Sequence, residues 1–348
     1  MHIDDLLKKS SEWLKGTGPK ANIVISSRVR LARNFDGMPF FNRADAASRN
    51  KVLEMAKRLK EKSKYLKGSE FLLIKGMPDI DRQFLVERHL MSPEHMISPE
   101  SKGLIIDETE IVSIMINEED HLRIQVLQSG FNVMEAWRVI DNIDTELSRN
   151  CNYAFSPRLG YLTACPTNAG TGLRGSVMLH LPALSITNQV GKVYQAISKL
   201  GLTLRGLYGE GTEASGNFFQ ISNQVTLGYS EAELLGNMER IINKIIARER
   251  STRNMFISKD KEEISDKIWR AHGTLKSARI ISSKETISLL SLIRLGVDLG
   301  FVKDIDMQSL NELFILTQPA HLQKTEKKIL SSQDRDHKRA EMIRDRLK

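Results

Sequence analysis

The spacing of the apolar residues changes once along this chain, and that change limits the folds that it can adopt. Up to about residue 250, short runs rich in Ile, Val and Phe alternate with helical patterns. From Glu262 onward every periodic segment is helical. The sequence therefore predicts an α+β domain followed by a smaller all-helical domain. The predicted strands are residues 22–25, 71–74, 104–106, 111–116, 122–127, 177–181 and 218–225.

Start signals support the predicted helices. Ser230 is followed three residues later by Glu233, the spacing of a capping box, and a stripe of apolar residues follows at helical spacing. Ser282 and Glu285 repeat that spacing before a second stripe. The predicted helical segments are 46–60, 133–147, the two that follow Ser230 and Ser282, and the charged segment 334–348.

The boundary between the two domains is predicted in the stretch 248–254. This stretch is polar and charged and shows no periodicity, so we interpret it as a linker. The predicted domains are residues 1–255, which would be catalytic, and residues 260–348, which would be helical.

Composition and charge narrow the functional classes. The 348 residues include 51 Lys and Arg against 43 Asp and Glu, and the net charge of +8 favours anionic partners. The apolar runs are too short for a membrane span, and the charged first residues lack the apolar stretch of a secretory signal. Two cysteines, Cys151 and Cys165, are too few for a disulfide framework or a four-ligand zinc site. We therefore expect a cytoplasmic protein with no membrane partner.

Several nucleotide and metal motifs are absent from the sequence. It has neither the phosphate loop of P-loop enzymes nor the H-R-D and D-F-G elements of common protein kinases. Residues 170–175 match G-x-G-x-x-G, but no Asp or Glu lies between Gly175 and Gly209 to hold a ribose. We therefore reject a dinucleotide fold. The eight histidines show no metal-ligand spacing, and we assign no metal ligand.

Five arginines stand in short segments rich in small or polar residues. They are Arg28, Arg30, Arg123, Arg174 and Arg205. Arg28 and Arg30 alternate with apolar residues, so we expect them on the same face of a strand. Arg123 follows the acidic segment 117–121, which is predicted to form a hairpin tip. Because planar guanidinium groups bind phosphate oxygens bidentately, a converging set would suit a triphosphate; the alternative is that each is a solvated surface residue.

Four motifs in these segments resemble those of the phosphagen (guanidino) kinases, which transfer the γ-phosphoryl group of ATP to a guanidinium nitrogen. They are Ser-Arg-Val-Arg at 27–30, Asn-Glu-Glu-Asp-His-Leu-Arg at 117–123, Cys-Pro-Thr-Asn-Ala-Gly-Thr at 165–171 and Arg-Gly-Leu-Tyr-Gly-Glu at 205–210. The motifs occur in the family's order. The resemblance implies an antiparallel-sheet catalytic domain flanked by helices, which binds ATP and Mg²⁺.

The resemblance also assigns roles to individual residues. Glu119 and Glu210 match the two carboxylates that hold the substrate guanidinium, and Cys165 matches the reactive cysteine beside it. Because a guanidinium is a poor nucleophile, the carboxylates would orient one nitrogen and accept its proton, and we expect Glu119 to be the principal base. A thiolate at Cys165 would add negative charge there. The residues that match nucleotide-binding positions are Arg28, Arg30, His121, Arg123, Arg174 and Arg205.

Within this family the chain is similar to the bacterial protein-arginine kinases (McsB type) over nearly its whole length. Only 27 residues precede Arg28, where the small-molecule enzymes carry a helical domain, and the extra helical domain is C-terminal instead. An arginine side chain on a polypeptide would then have access to the site. The C-terminal segment resembles a motif linked to phosphoarginine recognition, which implies that Arg335, Asp336 and Arg339 bind phosphoarginine.

The same resemblance implies partners and a cellular role. The substrates would be proteins with accessible arginines, and the phosphorylated arginines would mark them for a Clp-type protease or unfoldase and inactivate a heat-shock repressor. This is a role in protein quality control and the stress response. The resemblance further implies a homodimer and an activator protein, with no direct nucleic-acid partner.

Two other functions remain open. An enzyme of the same chemistry could act on free arginine or another small guanidine, although the missing N-terminal domain argues against it. A non-catalytic basic adaptor or nucleic-acid binder would account for the net charge of +8 and the arginine-rich C-terminus. The pair Glu119 and Glu210 and the aromatic content of 6% argue against that alternative, since single-strand binders stack bases on aromatic rings.

Overall fold

The computed structural model describes residues 3–206 and 215–347. Its strands are β1 (Val24–Arg33), β2 (Glu70–Leu73), β3 (Gly103–Ile106), β4 (Val112–Ile116), β5 (Leu122–Ser129), β6 (Phe155–Ser156), β7 (Gly160–Tyr161), β8 (Leu173–His180), β9 (Leu202–Gly206) and β10 (Phe218–Asn223). Its α-helices are α1 (Ile3–Leu6), α2 (Ala46–Lys62), α3 (Asp79–Glu87), α4 (Pro93–Met96), α5 (Val133–Ser148), α6 (Pro182–Ile186), α7 (Val190–Ser198), α8 (Glu231–Ser258), α9 (Lys261–Ser277), α10 (Ser283–Asp298), α11 (Met307–Leu316), α12 (Pro319–Glu326) and α13 (Ser332–Arg346). No helix of these described ranges is long and apolar enough to cross a membrane.

One antiparallel sheet contains all of these strands except β6 and β7, in the order β2-β3-β4-β5-β1-β8-β10-β9. The hairpin tip predicted at 117–121 joins β4 to β5, and Asn117 N donates to the carbonyl of His121 at 3.0 Å. β1 lies between β5 and β8. The predicted α+β architecture, with an antiparallel sheet flanked by helices and a helical C-terminal part, is confirmed.

Helices cover the two faces of the sheet differently. One face is buried under α2, α5, α7 and α8, and β1 contributes Val29 and Leu31 to that core. The C-terminal helices cover part of the opposite face and share a second core with Ile25, Leu127 and Phe218. α3 packs against β3 and β4 near the edge formed by β2. An open part of this second face remains between the two covers.

The stretch 248–254 is not a linker, and that prediction was wrong. It is helical and belongs to α8, which continues to Ser258. Two of its charged side chains, Glu249 and Arg253, are buried: Arg253 Nε binds Glu249 Oε1 at 2.7 Å, and Arg253 Nη1 binds Asp298 of α10 at 2.6 Å. Buried charge pairs interrupt the apolar periodicity of a helix in the same way that a solvated loop does, so the sequence pattern cannot separate the two.

The other differences concern strand ends and short elements. β1 begins in the region of the predicted strand 22–25 and continues to Arg33. The predicted strand is shorter because polar residues of β1, which lie on the open face of the sheet, interrupt the apolar run. β9 has only Leu202 and Leu204 as alternating apolar side chains, which is too short a pattern to predict. The two helix starts are confirmed: Ser230 forms a capping box, and the Ser282 side chain accepts from the backbone of α10.

Candidate active site

Five arginines from four strands share one face of the sheet. They are Arg28 and Arg30 on β1, Arg123 on β5, Arg174 on β8 and Arg205 on β9. Arg30 lies directly opposite Arg174, and Arg205 lies directly opposite Gln220 on β10. Arg28 Nη2 donates to Gln220 Oε1 at 2.8 Å. The alternation of side chains along the strands therefore gathers residues that are distant in the sequence.

The arginines line one cleft of about 870 Å³. This volume falls in the range of small-molecule sites. The walls include the segment 86–94, which contains the start of α4, and Gln318 from the C-terminal part. Glu119 lines the same cleft, as does Ala164, the neighbour of Cys165. The structure thus brings the five predicted arginines together with the predicted base.

The arginines repel one another because burial removes the water that would screen their charges. Burial and the charges of Arg123 and Arg174 lower the pKa of Arg28 to about 10. Burial, followed by the neighbouring arginines, also lowers the pKa of Arg30, and burial and Arg205 lower that of Arg174. The buried Nε atoms of Arg30 and Arg174 have no hydrogen-bond partner within the described ranges. A bound polyanion would supply partners and offset the repulsion.

Two neighbouring carboxylates at the hairpin tip have opposite pKa shifts. Glu118 is buried and accepts from Arg123 Nη1 at 2.5 Å and from Ser92 Oγ at 2.7 Å. Burial raises its pKa, but Arg123 and these hydrogen bonds lower it overall. Glu119 is exposed to the cleft, and partial burial with the charges of Asp120 and Glu118 raises its pKa. A raised pKa on a cleft-facing carboxylate suits a general base.

The side chain of Asp120 ties the hairpin tip to the loop that carries Cys165. Asp120 Oδ1 accepts from the backbone N–H of Ala164 at 2.7 Å. Glu119 and Cys165 are each the chain neighbour of one end of this hydrogen bond. Cys165 Sγ lies 3.0 Å from the hydroxyl oxygen of Thr167. The predicted base and the predicted cysteine are therefore held in one local framework.

His121, which is predicted to bind the nucleotide, is not among the residues that line the cleft. Its ring is buried, Nδ1 accepts from the backbone N–H of Phe35 at 3.0 Å, and Nε2 donates to the carbonyl of Pro39 at 2.9 Å. Burial lowers its pKa, so the ring is neutral at pH 7. Because backbone groups occupy both ring nitrogens, His121 fixes the segment before β5, and its role in nucleotide binding stays a prediction.

Arg205 and Glu210 belong to the same predicted motif, but only Arg205 is among the residues that the structure describes. Arg205 is exposed at the rim of the cleft, close to the end of β9. Glu210, the predicted partner of Glu119, lies outside the described residues, so its role stays a prediction.

The C-terminal residues predicted to bind phosphoarginine lie on α13 and do not line the cleft. Arg339 is buried, donates from Nε to the carbonyl of Thr317 at 2.9 Å and from Nη1 to that of Ile281 at 2.9 Å, and pairs with Asp336. Arg335 is half-buried. Arg339 therefore fastens α13 to the segments before α10 and α12. The recognition of phosphoarginine by these residues stays a prediction.

Sequence reasoning missed several polar residues of the cleft, among them Glu118, Ser92 and Gln220. Glu118 adjoins Glu119 in a motif already singled out, so its position was a usable signal. Ser92 and Gln220 lie in no motif, and only the strand pairing and the packing of α4 bring them to the arginines.

The described residues fit a nucleoside triphosphate better than a metal ion held by the protein alone. The arginines offer buried donors without partners, whereas the described part of the chain contains no group of three His, Cys, Asp or Glu side chains that could hold a metal ion. Mg²⁺ that enters with ATP would be coordinated mainly by phosphate oxygens and water.

We expect Arg30→Gln to weaken ATP binding by about ten- to a hundred-fold, because a charge-assisted hydrogen bond contributes ~1.5–3 kcal/mol. The thermal midpoint should stay the same or rise slightly, since the substitution removes one of several mutually repelling charges. Calorimetric titration with ATP and thermal unfolding measure the two effects. Arg138→Gln, at an exposed position of α5, is the matched control. Equal ATP affinities of the two variants would refute a phosphate contact by Arg30.

Comparisons with known proteins match both parts of the chain. Residues 49–252 match the family ATP:guanido phosphotransferase, C-terminal catalytic domain, and residues 261–348 match the protein-arginine kinase McsB C-terminal domain. A protein-arginine kinase of Halothermothrix orenii is 47% identical over 100% of this chain and 99% of its own length. One of Symbiobacterium thermophilum is 48% identical over 98% of this chain and 97% of its own. A crystal structure of lombricine kinase superimposes with a TM-score of 0.59 at 26% identity, covering 72% of this chain and 75% of that chain.

Proposed function

This chain belongs to the ATP:guanido phosphotransferase family, and from that premise we propose that it transfers the γ-phosphoryl group of ATP to arginine side chains of proteins. The main support for the proposal is that the five arginines and Glu119 line the same cleft. The arginines suit an anionic phosphoryl donor, and Glu119 suits a cationic acceptor. A protein acceptor is favoured because relatives similar over nearly the whole chain are protein-arginine kinases.

In the proposed reaction the arginines hold the triphosphate. Arg28, Arg30 and Arg174 project from adjacent strands, so their guanidinium groups are already in place before ATP enters. Preorganised positive charge stabilises the negative charge that spreads over the transferring phosphoryl group. Bound with ATP, Mg²⁺ would neutralise further phosphate charge.

The carboxylate of Glu119 holds and deprotonates the acceptor guanidinium. One N–H proton passes to Glu119 as the new nitrogen–phosphorus bond forms and the bond between the γ-phosphorus and the bridging oxygen of ADP breaks. Glu118 acts as a positioning residue, since it fixes Arg123 on the floor of the cleft. Asp120 is also a positioning residue, because it fixes the loop of Cys165 by accepting a hydrogen bond from the backbone of Ala164.

We expect the pH profile of kcat/KM to fall on its acid side at a pH above 4.5, the ordinary value for glutamate, because the pKa of Glu119 is raised. The sign follows from the required form: the carboxylate accepts the proton, and it is lost as the pH falls through its pKa. Initial rates measured with a protein acceptor between pH 4 and pH 9 check this. The residual activity of Glu119→Gln should lack that acid limb. If the activity of the variant fell at the same pH, the acid side of the profile would belong to a group other than Glu119.

Direct detection of phosphoarginine tests the proposed function. The chain is incubated with Mg·ATP and an arginine-rich protein, and also with free arginine, and acid-labile, base-stable phosphate is located by mass spectrometry. We expect the label on protein arginines. Labelling of free arginine alone would contradict the proposal and favour a small-guanidine kinase. Salt-sensitive nucleic-acid binding without ATP turnover would favour a basic adaptor instead.

The cellular setting is part of the same proposal and is supported by the resemblance to protein-arginine kinases. We propose that the enzyme acts in the cytoplasm as a homodimer and responds to an activator protein. Phosphorylated arginines would mark proteins for a Clp-type protease or unfoldase and inactivate a heat-shock repressor. Arg335, Asp336 and Arg339 would then recognise the product on proteins.

A further inference from the structure

The wall of the cleft beside the arginines carries a carboxylate that the proposed transfer does not use. Glu94, on the short helix α4, is exposed and lines the cleft together with Glu119. Its carboxylate has no hydrogen-bond or ion-pair partner within residues 3–206 and 215–347. The other glutamate of this wall, Glu87, is already engaged, since it accepts from the backbone N–H groups of Ala320 and His321 at 2.8 and 3.0 Å.

The backbone that carries Glu94 is fixed on both sides. Ser92 Oγ accepts from the N–H of His95 at 3.0 Å and donates to Glu118 at 2.7 Å, which connects α4 to the hairpin tip. Lys102 Nζ donates to the carbonyl of Glu94 at 3.1 Å and to that of Ile97 at 2.6 Å. The backbone at Glu94 is therefore held in place before a ligand binds, which reduces the entropy lost on binding.

The charge of Glu94 acts on Glu119. It raises the pKa of Glu119, although burial, Asp120 and Glu118 raise that pKa more. If Glu119 holds the target guanidinium, Glu94 remains unneutralised at the same cleft. A second positive charge on the acceptor would be complementary to it.

We propose that Glu94 is a specificity-determining residue that binds a second cationic side chain of the acceptor polypeptide, next to the target arginine. This inference rests on the proposed function, because it requires a polypeptide acceptor. The substrate class is then an arginine flanked by lysine or another arginine. An arginine flanked by acidic residues would be disfavoured, since like charges would meet at the rim of the cleft.

A set of matched peptides tests the proposal with the full chain. The peptides differ only in the residues on both sides of one arginine, which are lysine, glutamine or glutamate. For the unchanged enzyme we expect kcat/KM to be about five-fold higher for the lysine peptide than for the glutamine peptide, mainly through KM. The difference should shrink at high salt. Glu94→Gln should abolish it, and Glu94→Lys should favour the glutamate peptide.

The controls separate specificity from catalysis and from folding. Glu108→Gln changes an exposed glutamate outside the cleft and should keep the preference of the unchanged enzyme. Glu94→Gln should keep the thermal midpoint of the unchanged enzyme and should still phosphorylate the glutamine peptide. The inference is overturned if both Glu94 variants keep the original order of peptides, or if Glu94→Gln slows all three equally. If the unchanged enzyme labels no peptide but labels free arginine, the proposed function itself fails, and this inference fails with it.

Discussion

Glu119→Gln is expected to lower the rate of arginine phosphorylation by about 10²–10⁴-fold, the contribution of a well-placed general base. The variant keeps the size and most of the hydrogen-bonding capacity of the side chain but cannot accept the proton. ATP binding should survive, because the triphosphate is assigned to the arginines of the floor rather than to the hairpin tip. Single-turnover phosphorylation and ATP titration measure the two properties separately.

The control for this experiment is Glu108→Gln, which changes a glutamate outside the cleft. It should leave both rate and ATP affinity unaltered. Full labelling by Glu119→Gln would remove Glu119 from the chemistry. A parallel loss of ATP affinity would place the carboxylate on the nucleotide side of the cleft instead.

Asp144→Asn is expected to destabilise the fold by ~3–5 kcal/mol, because it leaves a buried guanidinium without its counter-charge. Arg33 is 1% exposed, and its Nη2 binds Asp144 Oδ2 at 2.7 Å while its Nε contacts both carboxylate oxygens. Arg33 also donates to the carbonyl of Thr171 at 2.9 Å and lies 3.5 Å from the ring centroid of Tyr161. Urea unfolding, followed by circular dichroism, measures the loss.

Asp141→Asn is the matched control, since Asp141 is exposed on the same helix, α5. Its free energy of unfolding should change by less than ~0.5 kcal/mol. Equal unfolding midpoints for the two variants would mean that Arg33 finds another partner. The double variant Arg33→Met, Asp144→Leu should recover part of the stability, because it removes both buried charges.

The sequence predicts those parts of the fold that depend on local periodicity. The hairpin tip, the capped starts of α8 and α10, and the placement of Arg28 and Arg30 on one face all follow from neighbouring residues. The strand order does not, because it is set by contacts between distant segments. The failure at 248–254 has a different origin. Arg253 and Glu249 are buried because distant segments supply their other partners, Asp298 of α10 for Arg253 and the N–H groups of Ala183 and Leu184 for Glu249. The local sequence does not contain these contacts.

Site residues that belong to a sequence motif were predictable. Contacts that depend on how distant segments fold together were not. Alternation alone separates Arg28 and Arg30 from Arg33, which points to the other face and serves stability. The occupation of both His121 nitrogens by backbone groups requires Phe35 and Pro39 to fold against the ring. No pattern in the sequence specifies that approach.

The alternation within β1 has a consequence for the fidelity of folding. Arg28 and Arg30 face the cleft, and Val29 and Leu31 face the main core. A slip of one residue against β5 or β8 would exchange the two sets and drive two guanidinium groups into the apolar core around Val29 and Leu31, at a high cost in desolvation. The positions proposed to bind the nucleotide thus also penalise misregistered strand pairing.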